Sequence, residues 1–143
     1  MTTRTLPTES PAIVLPTGML ITAVLAACFI VSVFWIGIAW QMGWDNQVII
    51  AGPVGGAAVA LTGILGVLIM TPWRPRDMGM WMTMWMAATV LRLLLTPALA
   101  YLLYSATSLS GTALGLAIVF SYFLALLAEW VVLDRHINKV LPL

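Results

Sequence analysis

Residues 47–104 read QVIIAGPVGGAAVALTGILGVLIM (47–70), TPWRPRD (71–77) and MGMWMTMWMAATVLRLLLTPALAYLLY (78–104). The two outer segments are long apolar runs without the period-2 alternation of barrel strands. The middle segment carries Pro72, Arg74, Pro75, Arg76 and Asp77. Each proline removes a backbone donor and biases its predecessor away from the helix, so 71–77 is a loop. A hydrocarbon core about 30 Å thick takes roughly 20 helical residues per crossing, a length that both runs reach. The stretch therefore predicts two membrane-crossing helices joined by a short charged loop.

The same pattern repeats on either side. An apolar run covers 17–40, with a polar turn at 41–46. Another covers 112–133, after a Ser/Thr-rich turn at 105–111. These runs predict an all-α, polytopic membrane protein of four transmembrane helices in two hairpins. Residues 1–16, rich in Thr and Pro, read as a mobile arm, and 134–143 read as a short tail. Composition agrees: 62% of the 143 residues are hydrophobic and 8% are charged, against about 25% charged in soluble domains. Mean hydropathy is +1.07, and no length remains for a separate soluble domain. A net charge of +1 provides no electrostatic case for nucleic acid.

Charge position gives the orientation. Arg4, Arg74, Arg76, Arg135 and Lys139 fall on one side, whereas the opposite loops hold no Lys or Arg and only Asp45. The positive-inside rule then places both termini in the cytoplasm. Trp40, Trp44, Trp73, Trp81, Trp130 and Tyr104 fall near helix ends, where amphipathic rings favour the interface. Leu25-Ala26-Ala27-Cys28 matches the short pattern at which lipoprotein precursors are cleaved. The apolar run continues past it to Trp40, however, so Cys28 reads as a small buried residue.

Arg92 stands inside the third run. A guanidinium at the bilayer centre costs roughly 2.5 to more than 10 kcal/mol, so it should face protein, a cavity or a partner. Counted from Met78, it lies about 21 Å along the helix. Glu129, the acidic residue within an apolar run, is its candidate counter-ion. Antiparallel register through the 105–111 turn sets Arg92 level with about Leu124, leaving Glu129 about 7 Å nearer the cytoplasm. A direct pair needs Arg92 to bend down. Otherwise Ser121 and Tyr122 are its polar neighbours, its charge is free for a partner, and Glu129 is an interfacial residue. Pro97 leaves the Leu93 carbonyl without its helical donor and predicts a kink, with Thr96 free to bond back to the Arg92 carbonyl.

In the second run Gly52, Gly56, Ala60 and Gly63 share one face, which suits close approach of another helix, within the chain or on a partner. The alternating Met78, Met80, Met82, Met84 and Met86 cannot chelate a metal from a helix, since neighbours two apart point roughly 200° from each other. His136 is isolated in the tail. No nucleophile–base pair, P-loop, HExxH or carboxylate cluster appears. The expectation is no enzyme, no metal site and no cofactor.

A glycine/alanine-rich second helix (AGPVGGAAVA, then GILGVLI), a basic loop, and an arginine opening the polar centre of helix three (VLRLLLTPALAYLLY) make the chain resemble the ATP synthase subunit I family over about residues 17–140. That resemblance implies a bacterial inner-membrane accessory protein encoded with F-type ATP synthases, which helps the c-subunit ring assemble. Some such proteins are also proposed to assist Mg2+ or Ca2+ uptake. By position Arg92 corresponds to the family's polar site in helix three. Helix two offers only Thr62 where the family has a stronger polar group, a departure that weakens ion uptake more than assembly. The physical case for assembly is that c subunits carry an intramembrane carboxylate, which a buried guanidinium and a small-residue face could hold. Competing classes are a small oligomeric transporter or channel with Arg92 on the path, and a scaffold for another membrane complex. Thr62, Thr89, Thr96, Ser121 and Tyr122 are too few polar groups for a convincing pore.

The topology has a direct check. In a Cys28→Ala background, Ser108→Cys should react with an impermeant maleimide added to intact spheroplasts, whereas Arg74→Cys and Lys139→Cys should react only after permeabilisation. The reverse pattern would invert the orientation.

Overall fold

A computed structural model describes residues 12–140. Arg4, and the rest of the arm and tail at 1–11 and 141–143, lie outside the described residues. Four helices run Thr17–Gln41 (α1), Asn46–Ile69 (α2), Met78–Ala106 (α3) and Gly111–Val140 (α4). Each is long and apolar enough to cross a membrane, and the chain is an all-α, polytopic membrane protein. The last helix runs seven residues past the predicted boundary at 133, so most of the expected tail is helical. Its sequence through DRHINKV contains no proline or glycine to stop it, and Asn138 Nδ2 donates to the Asp134 carboxylate one turn back at 3.3 Å.

Lipid tails are as apolar as leucine, so helices in a bilayer associate through close packing and hydrogen bonds. α2 supplies the close packing on two sides. A Cβ at Gly52 would collide with the Trp35 ring, one at Gly56 would lie 2.6 Å from Ser32 Oγ, and one at Gly63 2.8 Å from Val24 Cγ1, all on α1. The predicted small-residue face thus packs within the chain, and Ala60 borders the groove between the same two helices. Trp35 Nε1 adds a 2.8 Å hydrogen bond to the Val48 carbonyl. A quarter-turn away, a Cβ at Gly55 would lie 3.1 Å from Ala117 Cβ and 3.3 Å from the Ile118 backbone nitrogen of α4. The α4 ridge Ala117, Ser121, Ala125 and Glu129, spaced by four, is buried. Cys28 is buried in mid-α1, and the helix passes through it unbroken.

α3 is held differently. Its buried residues, Trp81, Ala88, Arg92 and Thr96, form a narrow stripe, and it packs chiefly on α2 and less on its hairpin partner α4. The second hairpin is therefore splayed. A 3.1 Å hydrogen bond between the Thr62 and Thr96 hydroxyls sets the register. Because Thr62 already donates to the carbonyls of its own preceding turn, Thr96 is the donor in that bond. Thr96 makes this cross-helix bond in place of the expected one to the Arg92 carbonyl. Pro97 lies on the exposed side, and α3 continues through it as one helix.

The chain entering α1 is also docked, which corrects the expectation of a mobile arm for residues 12–16. Ile13 and Arg76 exchange backbone hydrogen bonds of 2.8 and 3.2 Å, and Leu15 N donates to the Pro72 carbonyl at 3.0 Å. Trp81 Nε1 donates to the Ile13 carbonyl at 2.8 Å. Trp81 is thereby buried. Arg76 folds inward as well, donating to the Met70 carbonyl and to Thr71 Oγ1 at 2.7 Å. That last bond holds Thr71 at φ 47°, a backbone region costly for a β-branched residue.

If backbone approach at α2 builds the bundle, Gly56→Val should lower unfolding stability in mild detergent by about 1–3 kcal/mol through overpacking. Gly115→Ala, where a Cβ meets nothing within 4 Å, should leave the same SDS-titration curve unmoved.

Candidate functional site

Arg92 and Glu129 face each other from α3 and α4. Arg92 Nη1 donates to both Glu129 oxygens, Oε1 and Oε2, at 2.6 Å. The side chains are 4% and 2% exposed, which makes this the one ion pair among the described residues. Glu129 is accordingly a core residue rather than a solvated interfacial one, and the Arg92 charge is met within the chain.

Two features of the backbone allow the pair to form. From the Thr62–Thr96 contact, four residues further along antiparallel helices brings Gly66 level with Arg92. The guanidinium lies directly over Gly66, where a Cβ would overlap its Nε. Only a residue without a side chain leaves that channel open, and through it Arg92 reaches across the offset separating it from Glu129. The same register relocates the charge. Gly66 stands three residues before the end of α2 at Ile69, so Arg92 is about 4.5 Å inside that end by helical rise. The distance counted from Met78 runs along α3, whose first turns extend beyond the end of α2.

Nη1 carries the whole pairing, in an end-on geometry rather than the side-on fork of a bidentate Arg–carboxylate pair. Arg92 Nε and Nη2 are buried and make no hydrogen bond. Beside them is a cavity of about 10 Å³, bordered by Thr62, Gly63, Tyr122 and Ala125, which is the lower limit for one water molecule. Tyr122 Oη donates to the Thr89 carbonyl at 3.3 Å, a second polar link between α4 and α3. Ser121, expected beside Arg92, turns instead towards α2, its Oγ 3.8 Å from where a Gly56 Cβ would be, and makes no hydrogen bond. Pro97 does not join the cluster.

The sequence offered Glu129 as the counter-ion of Arg92, or else Ser121 and Tyr122 as its polar neighbours; Glu129 and Tyr122 lie beside it, and Gly66, which admits the guanidinium, was not singled out. A signal was present: Thr62 and Gly66 repeat the four-residue spacing of Arg92 and Thr96, which antiparallel packing converts into two facing pairs. Among the described residues no three His, Cys, Asp or Glu side chains gather in a cluster that could hold a metal. No protein-family model, curated protein or solved structure matches the chain.

Removing one member of a buried pair strands the other, whereas replacing both with apolar groups of similar volume removes the desolvation cost as well. Glu129→Leu alone should destabilise the protein by about 3–5 kcal/mol, and Arg92→Met with Glu129→Leu should recover most of that loss. Unfolding titrations of the single and double variants in one detergent measure the difference.

Proposed function

We propose that the chain is a membrane accessory protein that assists assembly of an F-type ATP synthase membrane sector. In this reading it resides in a bacterial inner membrane with both termini cytoplasmic. The observation that carries the reading is the end-on Arg92–Glu129 pair, which leaves two guanidinium donors unused and joins α3 to α4 across a thinly packed interface.

Opening that pair in an apolar medium without replacement strands a charge, which is strongly unfavourable. A partner carboxylic acid that gives its proton to Glu129 as it takes over the guanidinium leaves neither Arg92 nor Glu129 as a stranded charge, and it can add bonds to Nε and Nη2. The clasp is therefore selective, because α3 can release Glu129 to a partner helix bearing an intramembrane carboxylate but has no comparable route to an apolar helix. The family resemblance supplies the partner class, c-subunit hairpins, whose intramembrane carboxylates fit that requirement. Transient retention followed by release is what assembly of a ring from identical hairpins needs.

In cells without a redundant assembly factor, Arg92→Ala and Arg92→Glu should reduce the yield of assembled c-ring to the level seen without the gene. The paired substitution Arg92→Met/Glu129→Leu separates folding from function, since it should accumulate normally in the membrane yet give the same low yield. An undiminished ring yield in that double variant would eliminate the clasp mechanism.

A further inference from the structure

Over its last three turns, α4 carries two chemically distinct faces. Trp130, Leu133, Asp134 and Ile137 look towards α3, and Val132, Arg135, His136 and Lys139 look towards α1. Each set follows the i, i+3, i+4, i+7 spacing of one helical face. The acidic residue is thus turned away from the basic ones, and it accepts a hydrogen bond from Asn138. Neither Arg135 nor Lys139 forms an ion pair among the described residues.

The basic face borders a groove of about 740 Å³ whose other wall is the start of α1, from Gly18 through Thr22 and Ala23 to Ala26. Apart from Met19, the side chains along that wall are small. Thr22 Oγ1 is bonded to the Gly18 carbonyl at 2.8 Å, so its methyl rather than its hydroxyl is free towards an apolar neighbour. His136 Nε2 lies 3.0 Å from the Val14 carbonyl. A carbonyl can only accept, so Nε2 is the donor, and the bond ties the basic turn to the chain entering α1 at a fixed height. From Gly18 to Ala26 the groove descends about 12 Å into the membrane at helical rise.

We infer that this groove binds an anionic glycerophospholipid. Its phosphodiester would be held by Arg135 and Lys139, and its acyl chain would lie along Gly18, Thr22 and Ala26. The arrangement has the two parts that such a lipid requires, a cationic rim at headgroup height and an apolar floor continuous with the hydrocarbon, and basic pockets between helices at a membrane face recognise acidic headgroups. A zwitterionic lipid brings its own ammonium to the same rim and gains less. The site is separate from the Arg92–Glu129 pair and does not depend on the assembly reading.

The full-length protein, purified in a mild detergent and incubated with equimolar phosphatidylglycerol and phosphatidylcholine, can be examined by native mass spectrometry. Phosphatidylglycerol adducts should predominate, and R135Q/K139Q should weaken them about 25-fold, since each cationic side chain at a headgroup surface contributes about fivefold. Ala26→Phe, which fills the floor and leaves the charges untouched, should also weaken them. Glycerol phosphate alone should not displace the lipid, because it lacks the acyl chain. Equal retention of the two lipids by the unmodified protein would overturn the inference. So would unchanged phosphatidylglycerol retention in R135Q/K139Q with unchanged helical circular dichroism, or full displacement by glycerol phosphate. If R135Q/K139Q loses its helical signal, the comparison of the two lipids on the unmodified protein decides.

Discussion

Close backbone approach at α2 is the constraint from which the rest of the structure follows. In a solvent as apolar as the side chains, burial of leucine gives little net drive, so contact has to come from atoms brought unusually near one another. Gly52, Gly56 and Gly63 admit α1, Gly55 admits α4, and Gly66 admits the arginine of α3. A single helix thereby serves three neighbours with different residues at different angles. α1, α2 and α4 meet pairwise as a packed unit, whereas α3 is attached to that unit mostly through α2.

Polar groups supply what packing does not at α3. The Thr62–Thr96 bond, the Tyr122–Thr89 bond and the Arg92–Glu129 pair all lie along its narrow buried stripe. Each is worth more here than on a water-exposed surface, because no solvent competes for the donors. Their placement is uneven. α3 extends past the end of α2, where it borders a Trp-lined groove with α4. The Arg92–Glu129 pair adds a charged link from α3 to α4 to the packing that α3 makes with α2.

The end of the bundle where the chain enters α1 and leaves α4 is organised by short polar contacts rather than by core. Ile13, Val14 and Leu15 bond to Arg76, His136 and Pro72 in turn, linking α1, the 71–77 loop and α4. Two of the basic residues counted for orientation, Arg135 and Lys139, remain outside this network, and one, Arg76, is consumed by it. Charges that look equivalent in a tally therefore differ in availability. The orientation rule responds to their number near the membrane, while binding responds to which of them are free.

Helix number, helix type and the central loop were legible in the chain itself, because a bilayer demands long uninterrupted apolar segments and prolines with charges interrupt them. Arg92 was legible as the residue most in need of an explanation for the same reason. Its partner was legible only as a candidate. One-dimensional register left Glu129 about 7 Å away by helical rise, and the pair closes only because Gly66 clears a path for the guanidinium, a fact about how α3 sits on α2. The ends of α4 and of the arm escaped prediction on similar grounds. A polar sequence after an apolar run is equally compatible with coil or helix, and Ile13 and Leu15 become buried only once Arg76 and Pro72 are brought beside them. The apolar runs and their interruptions specify four membrane-crossing helices, the third carrying Arg92 and the fourth Glu129. The tertiary structure decided which groups meet Arg92, because partners on separate helices are chosen by register and by the space that neighbouring side chains leave.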